Sequence, residues 1–381
     1  MKILQIVVSP PLVDGKNSIT GPERRAARLS SLWATKEIEV VIAYPRWGQL
    51  QNYFSQAGLK TIDFSIGSKF NVLAVFKLKK IISAHNIQLV HCQGPASLDL
   101  IATLAAKISG ISIVITRPVM LKDQLHYSLL RRRAYELIDS LFTLPLVDGV
   151  IAVSKVGVDT LQKRYNVASD KIQLIYNGVN IDRFHGVEKP DNRETINIGM
   201  VAQLFPPKGW RDFIDCIKFI NNQSMQPVKG FIIGEGEQKS ILQYYVATHG
   251  LDDVIEFTGF RDDVENILKK LDIFLFTSHR EGLSVAVIEA MASSLPIVAT
   301  NVGGACDQVY PGRNGYLFEA GDIKGMSEAC IELMNDPQKI KIMGKCSRVM
   351  AEEKFQEKRM FNEHVAYYRK VTVRGKNKEI R

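Results

Sequence analysis

The chain has 381 residues, of which 46% are hydrophobic and 23% are charged, and its formal net charge is +9 at pH 7. This length exceeds the size at which one hydrophobic core usually divides, so we predict two domains. No stretch reaches the ~18 uncharged apolar residues of a membrane-spanning helix, and the N-terminal run MKILQIVVSP is too short for a signal peptide, which favours a cytoplasmic location.

The five cysteines show neither a disulfide pattern nor a metal-site pattern. Their number is odd, and no CxxC pair or other metal-ligand spacing occurs among them. We therefore expect reduced cysteines that are buried in the core.

Apolar runs typical of buried strands alternate with helical patterns along the first half of the chain. The predicted strands span residues 3–8, 40–44, 89–92, 113–116 and 150–153. A polar segment that contains a proline, HGVEKPDNRET at 185–195, then predicts a linker.

The second half repeats this alternation. Its predicted strands span residues 196–201, 230–233, 254–257, 273–276 and 297–299. A charged helical segment follows, from about residue 336 to residue 369. Strands that alternate with helices favour parallel, doubly wound sheets, so the predicted fold class is α/β, with ligands bound beyond the carboxyl ends of the strands.

Two glutamates lie eight residues apart in the segment EGLSVAVIE. On one regular helix, Glu281 and Glu289 would be roughly 12 Å apart along the axis, which exceeds the ~5 to 9.5 Å between paired hydrolase carboxylates. The spacing suits a long ligand, such as a nucleotide diphosphate sugar with hydroxyl groups at both ends. The backbone N–H groups of Gly282, Leu283 and Ser284, at the positive end of a helix dipole, would face the diphosphate. An unpartnered carboxylate inside the run VAVIEAMA would be costly, which favours a ligand for Glu289 over a solvated charge.

Residues 278–309, SHREGLSVAVIEAMASSLPIVATNVGGACDQV, resemble the signature of the family 4 retaining glycosyltransferases of the GT-B fold, whose hallmark is two glutamates separated by seven residues. Further similar segments follow the family's order along almost the whole chain: 174–184 (LIYNGVNIDRF), 199–209 (GMVAQLFPPKG), 230–236 (GFIIGEG), 257–263 (FTGFRDD) and 313–318 (RNGYLF). Each segment alone is a weak match, but the ordered set is specific.

The resemblance implies two Rossmann-like, doubly wound domains that face each other across a cleft. Residues 1–184 would be an N-terminal domain that binds the acceptor, and residues 185–195 a linker. Residues 196–355 would be a C-terminal domain that binds the nucleotide sugar. Residues 356–381 would form a helix that crosses back to the first domain, followed by a tail.

The resemblance also implies roles in the donor site. Lys208 matches the family's Lys-Gly pair, and its ammonium group would stabilise the negative charge that grows on the leaving diphosphate. Glu281 would join it in catalysis, and Glu289 would bind the donor. The family usually has an arginine where this chain has Gln203, so either another cation takes that place or the phosphate is stabilised less strongly. The candidates are Arg280, Arg211 and a residue of the first domain.

In the first half, the segment TGPER resembles the family's glycine-rich loop, where Gly21 would let the backbone approach the diphosphate. His91, in the segment VHCQG, is a candidate on the acceptor side, and a structural histidine is the alternative. Many relatives have a catalytic histidine where this chain has Pro118. Arg117 beside it is expected to hold an acceptor phosphate.

The positive charge is concentrated in the first half. Residues 1–190 contain 24 Lys and Arg against 14 Asp and Glu, a net charge of +10, whereas residues 191–381 contain 25 against 26, a net charge of −1. Since the family binds its acceptor in the first domain, we expect an anionic or lipid-linked acceptor or an anionic membrane surface. No aromatic-basic interleaving or nucleic-acid motif occurs, so nucleic acid is not an expected partner.

The pattern LLRRRAYELIDSLFTL follows residue 128 and includes the basic run 131–133. Its apolar positions leave two interpretations open, because they could face either a core or lipid headgroups. These positions are Leu130, Leu137, Ile138, Leu141 and Phe142.

No Asp-x-Asp pair occurs in the sequence, although many metal-using sugar transferases hold a metal and diphosphate that way. We therefore expect activity without a metal or other cofactor, with cationic side chains and helix N–H groups in place of the metal. The nucleotide sugar is a co-substrate.

The predicted function is retaining transfer of a sugar from a nucleotide diphosphate sugar to a hydroxyl of an anionic or lipid-linked acceptor, in the synthesis of cell-envelope polysaccharide or lipopolysaccharide. One alternative is a sugar-nucleotide epimerase of the same fold, which would work without an acceptor. The other is a non-catalytic partner that binds nucleotide sugars, which the departures at Gln93, Gln203 and Pro118 favour. An oxidoreductase is not expected, since Lys239 stands where a dinucleotide fingerprint after Gly234 needs glycine.

Overall fold

The computed structural model describes residues 1–7, 26–27, 29–30, 38–44, 54–64, 71–93, 96–117, 129–187, 190 and 193–379. Gly21 and Pro118 lie outside the described residues. The chain divides into two compact units. The first consists of Met1–Ile175 and Phe361–Arg381, and the second of Tyr176–Met360.

The described strands of the first unit form one parallel sheet, in the order β3-β2-β1-β4-β5-β6-β7. The strands are β1 (Lys2–Val7), β2 (Glu39–Tyr44), β3 (Lys60–Asp63), β4 (Leu89–Gln93), β5 (Ser112–Arg117), β6 (Gly149–Ala152) and β7 (Ile172–Leu174). The helices are α1 (Val72–Ala84), α2 (Ala96–Ile108), α3 (Leu129–Ile138), a π-helical turn (Asp139–Thr143), α4 (Leu144–Leu146) and α5 (Lys155–Lys163), followed by a 3₁₀ turn (Ser169–Lys171). The inner strands are almost wholly buried, as expected for a parallel sheet with helices on its faces.

The second unit has the same plan, with a parallel sheet in the order β10-β9-β8-β11-β12-β13. Its strands are β8 (Ile196–Val201), β9 (Val228–Ile233), β10 (Ile255–Gly259), β11 (Ile273–Phe276), β12 (Ile297–Thr300) and β13 (Gly315–Phe318). Its helices are a 3₁₀ turn (Pro206–Lys208), α6 (Trp210–Gln223), α7 (Lys239–Thr248), α8 (Val264–Leu268), α9 (Val285–Ala292), α10 (Ala305–Gln308), α11 (Ile323–Met334) and α12 (Pro337–Lys354). The helix α13 (Glu357–Glu379) begins in this unit and ends in the first.

Both sheets are of the predicted doubly wound type, and all the predicted strands are present. Three strands were missed: β3, β7 and β13. Each lies at an edge of its sheet, and its residues are more exposed than those of the inner strands. A short edge strand needs no long apolar run, so hydrophobic patterning does not reveal it.

The predicted domain boundaries at residues 184 and 355 both fall inside the second unit. The chain around Val179 belongs to this unit because it pairs with the segment between α12 and α13. Val179 N donates to Phe355 O at 2.9 Å, and Glu357 N donates to Val179 O at 2.9 Å. This pairing also divides the single helical segment predicted near residues 336–369 into two helices, with Phe355 fully buried at the break.

Candidate active site

The candidate site lies where β8 and β11 end, at the point where the strand order of the second sheet reverses. From β8 the chain adds β9 and then β10 on one side of the sheet. It then returns to the other side of β8, where it adds β11, β12 and β13. The loops after two such neighbouring strands diverge and leave a crevice, which is where doubly wound sheets bind ligands. Lys208 follows β8, and Glu281 follows β11.

Three hydrogen bonds fasten these two loops together. Thr277 Oγ1 donates to Gly209 O at 2.7 Å, Ser278 Oγ donates to Pro207 O at 3.1 Å, and His279 N donates to the same Pro207 oxygen at 2.9 Å. The Ser278 and Thr277 side chains are fully buried. The loop that contains Lys208 is therefore held against the loop that leads to Glu281.

Gly209 makes this close approach sterically feasible. Its φ of +67° is a left-handed conformation that L side chains rarely adopt, and a Cβ atom there would collide with the Thr277 carbonyl oxygen. Gly209 also precedes α6, so it lets the chain turn from the Pro206–Lys208 turn directly into a helix. The close contact with Thr277 and the left-handed backbone thus explain why glycine follows lysine in the Lys-Gly pair.

The structure brings the two predicted catalytic residues into contact. Lys208 Nζ lies 2.5 Å from Glu281 Oε1, and the two side chains are 25% and 17% exposed. The carboxylate fixes the position of the ammonium group, which has three donor hydrogens and can bind an anion with those that remain. A half-buried lysine held in this way is suited to receive a negatively charged ligand.

The carbonyl and N–H groups of the loop 282–284 differ in their hydrogen bonds. Its carbonyl oxygens are all engaged: Gly304 N donates to Gly282 O (2.8 Å), Asn177 Nδ2 to Leu283 O (2.9 Å) and Gln308 Nε2 to Ser284 O (2.7 Å). Among the described residues, no backbone carbonyl accepts a hydrogen bond from the N–H groups of this loop. Engaged carbonyls and available N–H groups are the arrangement expected of an anion site at a helix N-terminus.

Ser284 begins α9. Its Oγ accepts from Val287 N at 3.4 Å, and the helix starts at the next residue, Val285. Glu281 therefore lies in the loop before the helix, whereas Glu289 lies within the helix. The axial distance calculated for two glutamates on one regular helix does not apply to this pair.

Glu289 is half-buried in the second turn of α9. Arg183 is its electrostatic neighbour and donates to Glu265 Oε2 at 2.7 Å and to Asp262 O at 2.6 Å. The Glu265 hydrogen bond is the main cause that raises the pKa of Arg183, and the charge of Glu289 contributes as well.

Two further predicted donor residues, Gln203 and Arg280, lie in the same two loops. Gln203 follows β8, and its carbonyl oxygen accepts from Trp210 Nε1 at 2.8 Å. Arg280 is half-buried directly before Glu281, and its backbone N donates to Ser278 Oγ at 3.4 Å.

Sequence reasoning missed three residues of this site. His279 Nε2 lies 2.6 Å from Asp212 Oδ2, which ties the loop after β11 to α6. Asn177 and Gln308, which hold the loop 282–284, are nearly fully buried. Asn177 and Gln308 fall within the segments quoted for the family, but a polar residue in a loop carries no pattern that distinguishes a positioning role.

His91 is a structural residue of the first unit. Its ring is fully buried, Nε2 lies 2.7 Å from Thr116 Oγ1, and Nδ1 lies 2.7 Å from Tyr368 OH. The bond to Tyr368 attaches α13 to β4. The acceptor-side role is thus not supported, and the structural alternative considered for His91 fits its surroundings.

Arg117 does not have the environment of an acceptor-phosphate ligand. Its side chain is 6% exposed and forms ion pairs with Asp99 and, at 2.5 Å, with Asp139. Both carboxylates are buried, so the guanidinium group is already occupied by anions of the protein. This environment does not favour the phosphate-binding role, which stays a prediction, and the sequence did not reveal the two carboxylates that meet Arg117.

This buried triad has one cation for two carboxylates. Burial is the largest cause that raises the pKa of Asp99 to about 6, the charge of Arg117 opposes it, and the charge of Asp139 adds to it. An acid whose pKa is higher in the folded state binds its proton more tightly there, so it favours folding at low pH. This contribution is lost as the pH rises from its unfolded pKa of 3.8 to its folded value of about 6.

We accordingly expect the stability of the parent to fall relative to Asp99→Asn as the pH rises from about 4 to about 7. The difference between their urea-unfolding free energies, measured at each pH, isolates this group from the other carboxylates. Asp159→Asn, which removes an exposed carboxylate of α5, is the control and should give a nearly constant difference. A constant difference for Asp99→Asn would show that Asp99 stays ionised in the folded protein.

Within the described residues, no group of three or more His, Cys, Asp or Glu side chains is placed to hold a metal ion. None of the helices described has both the length and the apolar character needed to cross a membrane.

Solved structures share this architecture. HepE from Anabaena in complex with UDP and glucose superposes with a TM-score of 0.79 at 21% identity, over 96% of this chain and 98% of that chain. The lipopolysaccharide outer core galactosyltransferase WaaB superposes with a TM-score of 0.72 at 19% identity, over 96% and 98%. Two parallel Rossmann-like sheets, with a crevice at the switch point of the second, define the GT-B fold class.

Sequence comparison then gives the family. The profile described as "Glycosyltransferase Family 4" matches residues 19–183, and the profile "Glycosyl transferases group 1" matches residues 183–350. The chain belongs to this glycosyltransferase family, as the signature around Glu281 predicted.

Similar proteins include the UDP-Gal:alpha-D-GlcNAc-diphosphoundecaprenol alpha-1,3-galactosyltransferase of Escherichia coli, 25% identical over 87% of this chain and 88% of that protein. The capsular polysaccharide biosynthesis glycosyltransferase CapM of Staphylococcus aureus is 30% identical over 45% of each chain.

Proposed function

We infer that this glycosyltransferase moves a sugar from a UDP-sugar to a hydroxyl of a lipid-linked or other anionic glycan acceptor, in the synthesis of an envelope polysaccharide. Relatives named for a UDP-Gal donor and a diphosphoundecaprenol acceptor, and for capsule synthesis, support this substrate class. The observation that carries the proposal is the position of Lys208, fixed by Glu281 beside the N–H groups of residues 282–284.

The chemistry follows from these donors. The bond between the anomeric carbon and the phosphate oxygen breaks, and its electron pair passes to that oxygen. Lys208 and the N–H groups at the start of α9 stabilise the negative charge that develops there. The acceptor oxygen bonds to the anomeric carbon on the face that the phosphate leaves, with retention of configuration. The acceptor proton passes to the leaving phosphate.

The proposed reaction needs no metal, because the cation and the N–H groups are positioned to do the work of a divalent ion. Glu289 binds donor hydroxyls, and Arg280 supplies the positive charge that Gln203 lacks. We place the reaction at the cytoplasmic face of the membrane, where a lipid-linked acceptor is accessible.

The test is a titration with UDP-, GDP-, ADP- and dTDP-sugars in the presence of EDTA. At 100 times its dissociation constant, the correct donor should stabilise the parent by about 2.7 kcal/mol, and Glu289→Ala should lose most of this gain. Glu328→Ala, which removes an exposed carboxylate of α11 in the same unit, should keep it. If no nucleotide sugar stabilises the parent, the proposed donor site is wrong.

Donor turnover with and without an acceptor distinguishes a glycosyltransferase from an epimerase and from a non-catalytic binding partner. An epimerase would convert the donor sugar without an acceptor, and a non-catalytic partner would bind the donor and leave it unchanged. We expect slow donor hydrolysis alone and faster release of UDP when a suitable acceptor is added.

A further inference from the structure

The segment 129–146 of the first unit, which comprises α3, the π-helical turn and α4, exposes apolar side chains. The exposed fractions are 80% for Leu130, 58% for Leu137, 57% for Leu141 and 55% for Phe142. Leu130, Leu137 and Leu141 are separated by seven and four residues and therefore share one face of the helical segment. These four apolar side chains therefore lie on the surface and do not face the core.

Two polar residues of this segment point inward, whereas its Arg133 is exposed. Asp139 and Thr143 are buried, and Asp139 reaches Arg117 beneath the helix. A surface helix of a water-soluble protein normally does the reverse, with its apolar stripe on the core and its polar residues in water. An outward apolar face over an inward carboxylate indicates a surface that meets a non-aqueous partner.

The same layer of the unit carries a second exposed apolar patch. On α1, Leu73 is 74% exposed and Phe76 is 58% exposed. The inner residues of α1, α2 and the end of segment 129–146 pack into one core cluster with a single face of the sheet, which includes Leu78, Ala102 and Leu144. These helices therefore form one layer, and their outer residues face the same side of the sheet.

Every charged residue that is exposed on the described parts of α1, α2 and segment 129–146 is basic. They are Lys77, Lys79, Lys80, Arg133 and Lys107, of which Lys107 is paired with Asp148 at 2.7 Å. Of the acidic residues, Asp99 and Asp139 are buried, and Glu136 is paired with Arg164 at 3.0 Å. We call this combination of exposed apolar and basic side chains the basic-apolar face.

We propose that the basic-apolar face lies in the headgroup region of an anionic lipid bilayer. Leucine and phenylalanine side chains would enter the boundary of the acyl chains, while the lysines bind lipid phosphates, the division of labour seen in interfacial helices. A second copy of the chain fits less well, because two such faces would bring like charges together.

This inference deepens the proposed function, since it places the first unit at the surface where a lipid-linked acceptor resides. It does not need donor turnover, so the two can fail separately. Vesicle binding tests the face, and UDP-sugar binding in the absence of vesicles tests the donor site.

The experiment is flotation of the full chain with phosphatidylcholine vesicles that contain or lack about 30% phosphatidylglycerol. Leu137→Ser/Leu141→Ser should weaken binding to the anionic vesicles about tenfold. Its control, Ile241→Ser/Ile342→Ser, removes two equally exposed apolar side chains (61% each) from the second unit and should bind like the parent.

The contribution of the lysine charges to vesicle binding is tested in the same assay. Lys77→Gln/Lys80→Gln should also weaken binding about tenfold, whereas Lys324→Gln/Lys345→Gln in the second unit should not. Circular dichroism and UDP-sugar binding of each variant show that it is folded. The proposal is overturned if the parent does not float with anionic vesicles, or if the serine variant floats equally well. It is also overturned if light scattering shows a dimer that the serine variant abolishes, since a second copy then covers the face.

Discussion

Replacing Lys208 with alanine is expected to lower kcat for UDP-sugar turnover about 100- to 1,000-fold, the loss typical when one preorganised donor to a developing negative charge is removed. Lys208 is held 2.5 Å from Glu281 in a partly buried loop, so its ammonium group does not have to reorganise during the reaction. Donor affinity should change much less, because the N–H groups of residues 282–284 and Glu289 remain. Steady-state kinetics on the proposed donor give both values.

The matched control is Lys324→Ala. Lys324 lies in the same unit and also pairs with a carboxylate, Glu328, but both side chains are exposed. Its removal should leave kcat unchanged. A Glu281→Gln variant keeps a hydrogen-bond acceptor for Lys208 but removes the charge, so its loss should be smaller than that of Lys208→Ala. Equal kcat for Lys208→Ala and the parent would contradict the role of the ammonium group in the chemical step.

The sequence indicated which residues lie together around Glu281 better than it indicated the contacts of the first unit, for a physical reason. The residues around Glu281 are close along the chain and are fixed by a strand, a tight loop and a helix N-terminus, all of which leave local patterns. Lys208 is distant in sequence but follows the neighbouring strand, and the doubly wound topology brings such loops together.

His91 and Arg117 show the limit of this reasoning. Both lie at or near the carboxyl ends of strands, where ligands usually bind, so each looked like a functional residue. Their partners come from elements far along the chain: Tyr368 from α13 for His91, and Asp139 from the π-helical turn for Arg117. Hydrophobic periodicity does not predict such a contact. The hydrogen bonds of a polar residue at a strand end can be made to other residues of the protein as well as to a ligand.

The ion pairs with Asp99 and Asp139 are expected to make Arg117 important for the stability of the fold. Arg117→Leu should destabilise the first unit by about 3–5 kcal/mol, because it leaves the buried carboxylates of Asp99 and Asp139 without their cation. Arg117→Lys keeps the charge but has one nitrogen in place of the two that pair with separate carboxylates, so the stability of this variant should lie between those of Arg117→Leu and the parent. Urea denaturation followed by circular dichroism gives the order.

A combined variant distinguishes this ion-pair cost from the loss of packing. In Asp99→Asn/Arg117→Leu/Asp139→Asn no net charge remains in the buried site, so more than half of the stability lost in Arg117→Leu should return. Arg117→Leu protein that is still folded should also keep the KM of the parent for the acceptor. The guanidinium group of Arg117 is only 6% exposed, so a phosphate in solvent cannot reach it. If the combined variant were as unstable as Arg117→Leu, the stabilising contribution of Arg117 would come from packing. If the acceptor KM rose in folded Arg117→Leu protein, the predicted acceptor-phosphate role of Arg117 would be supported.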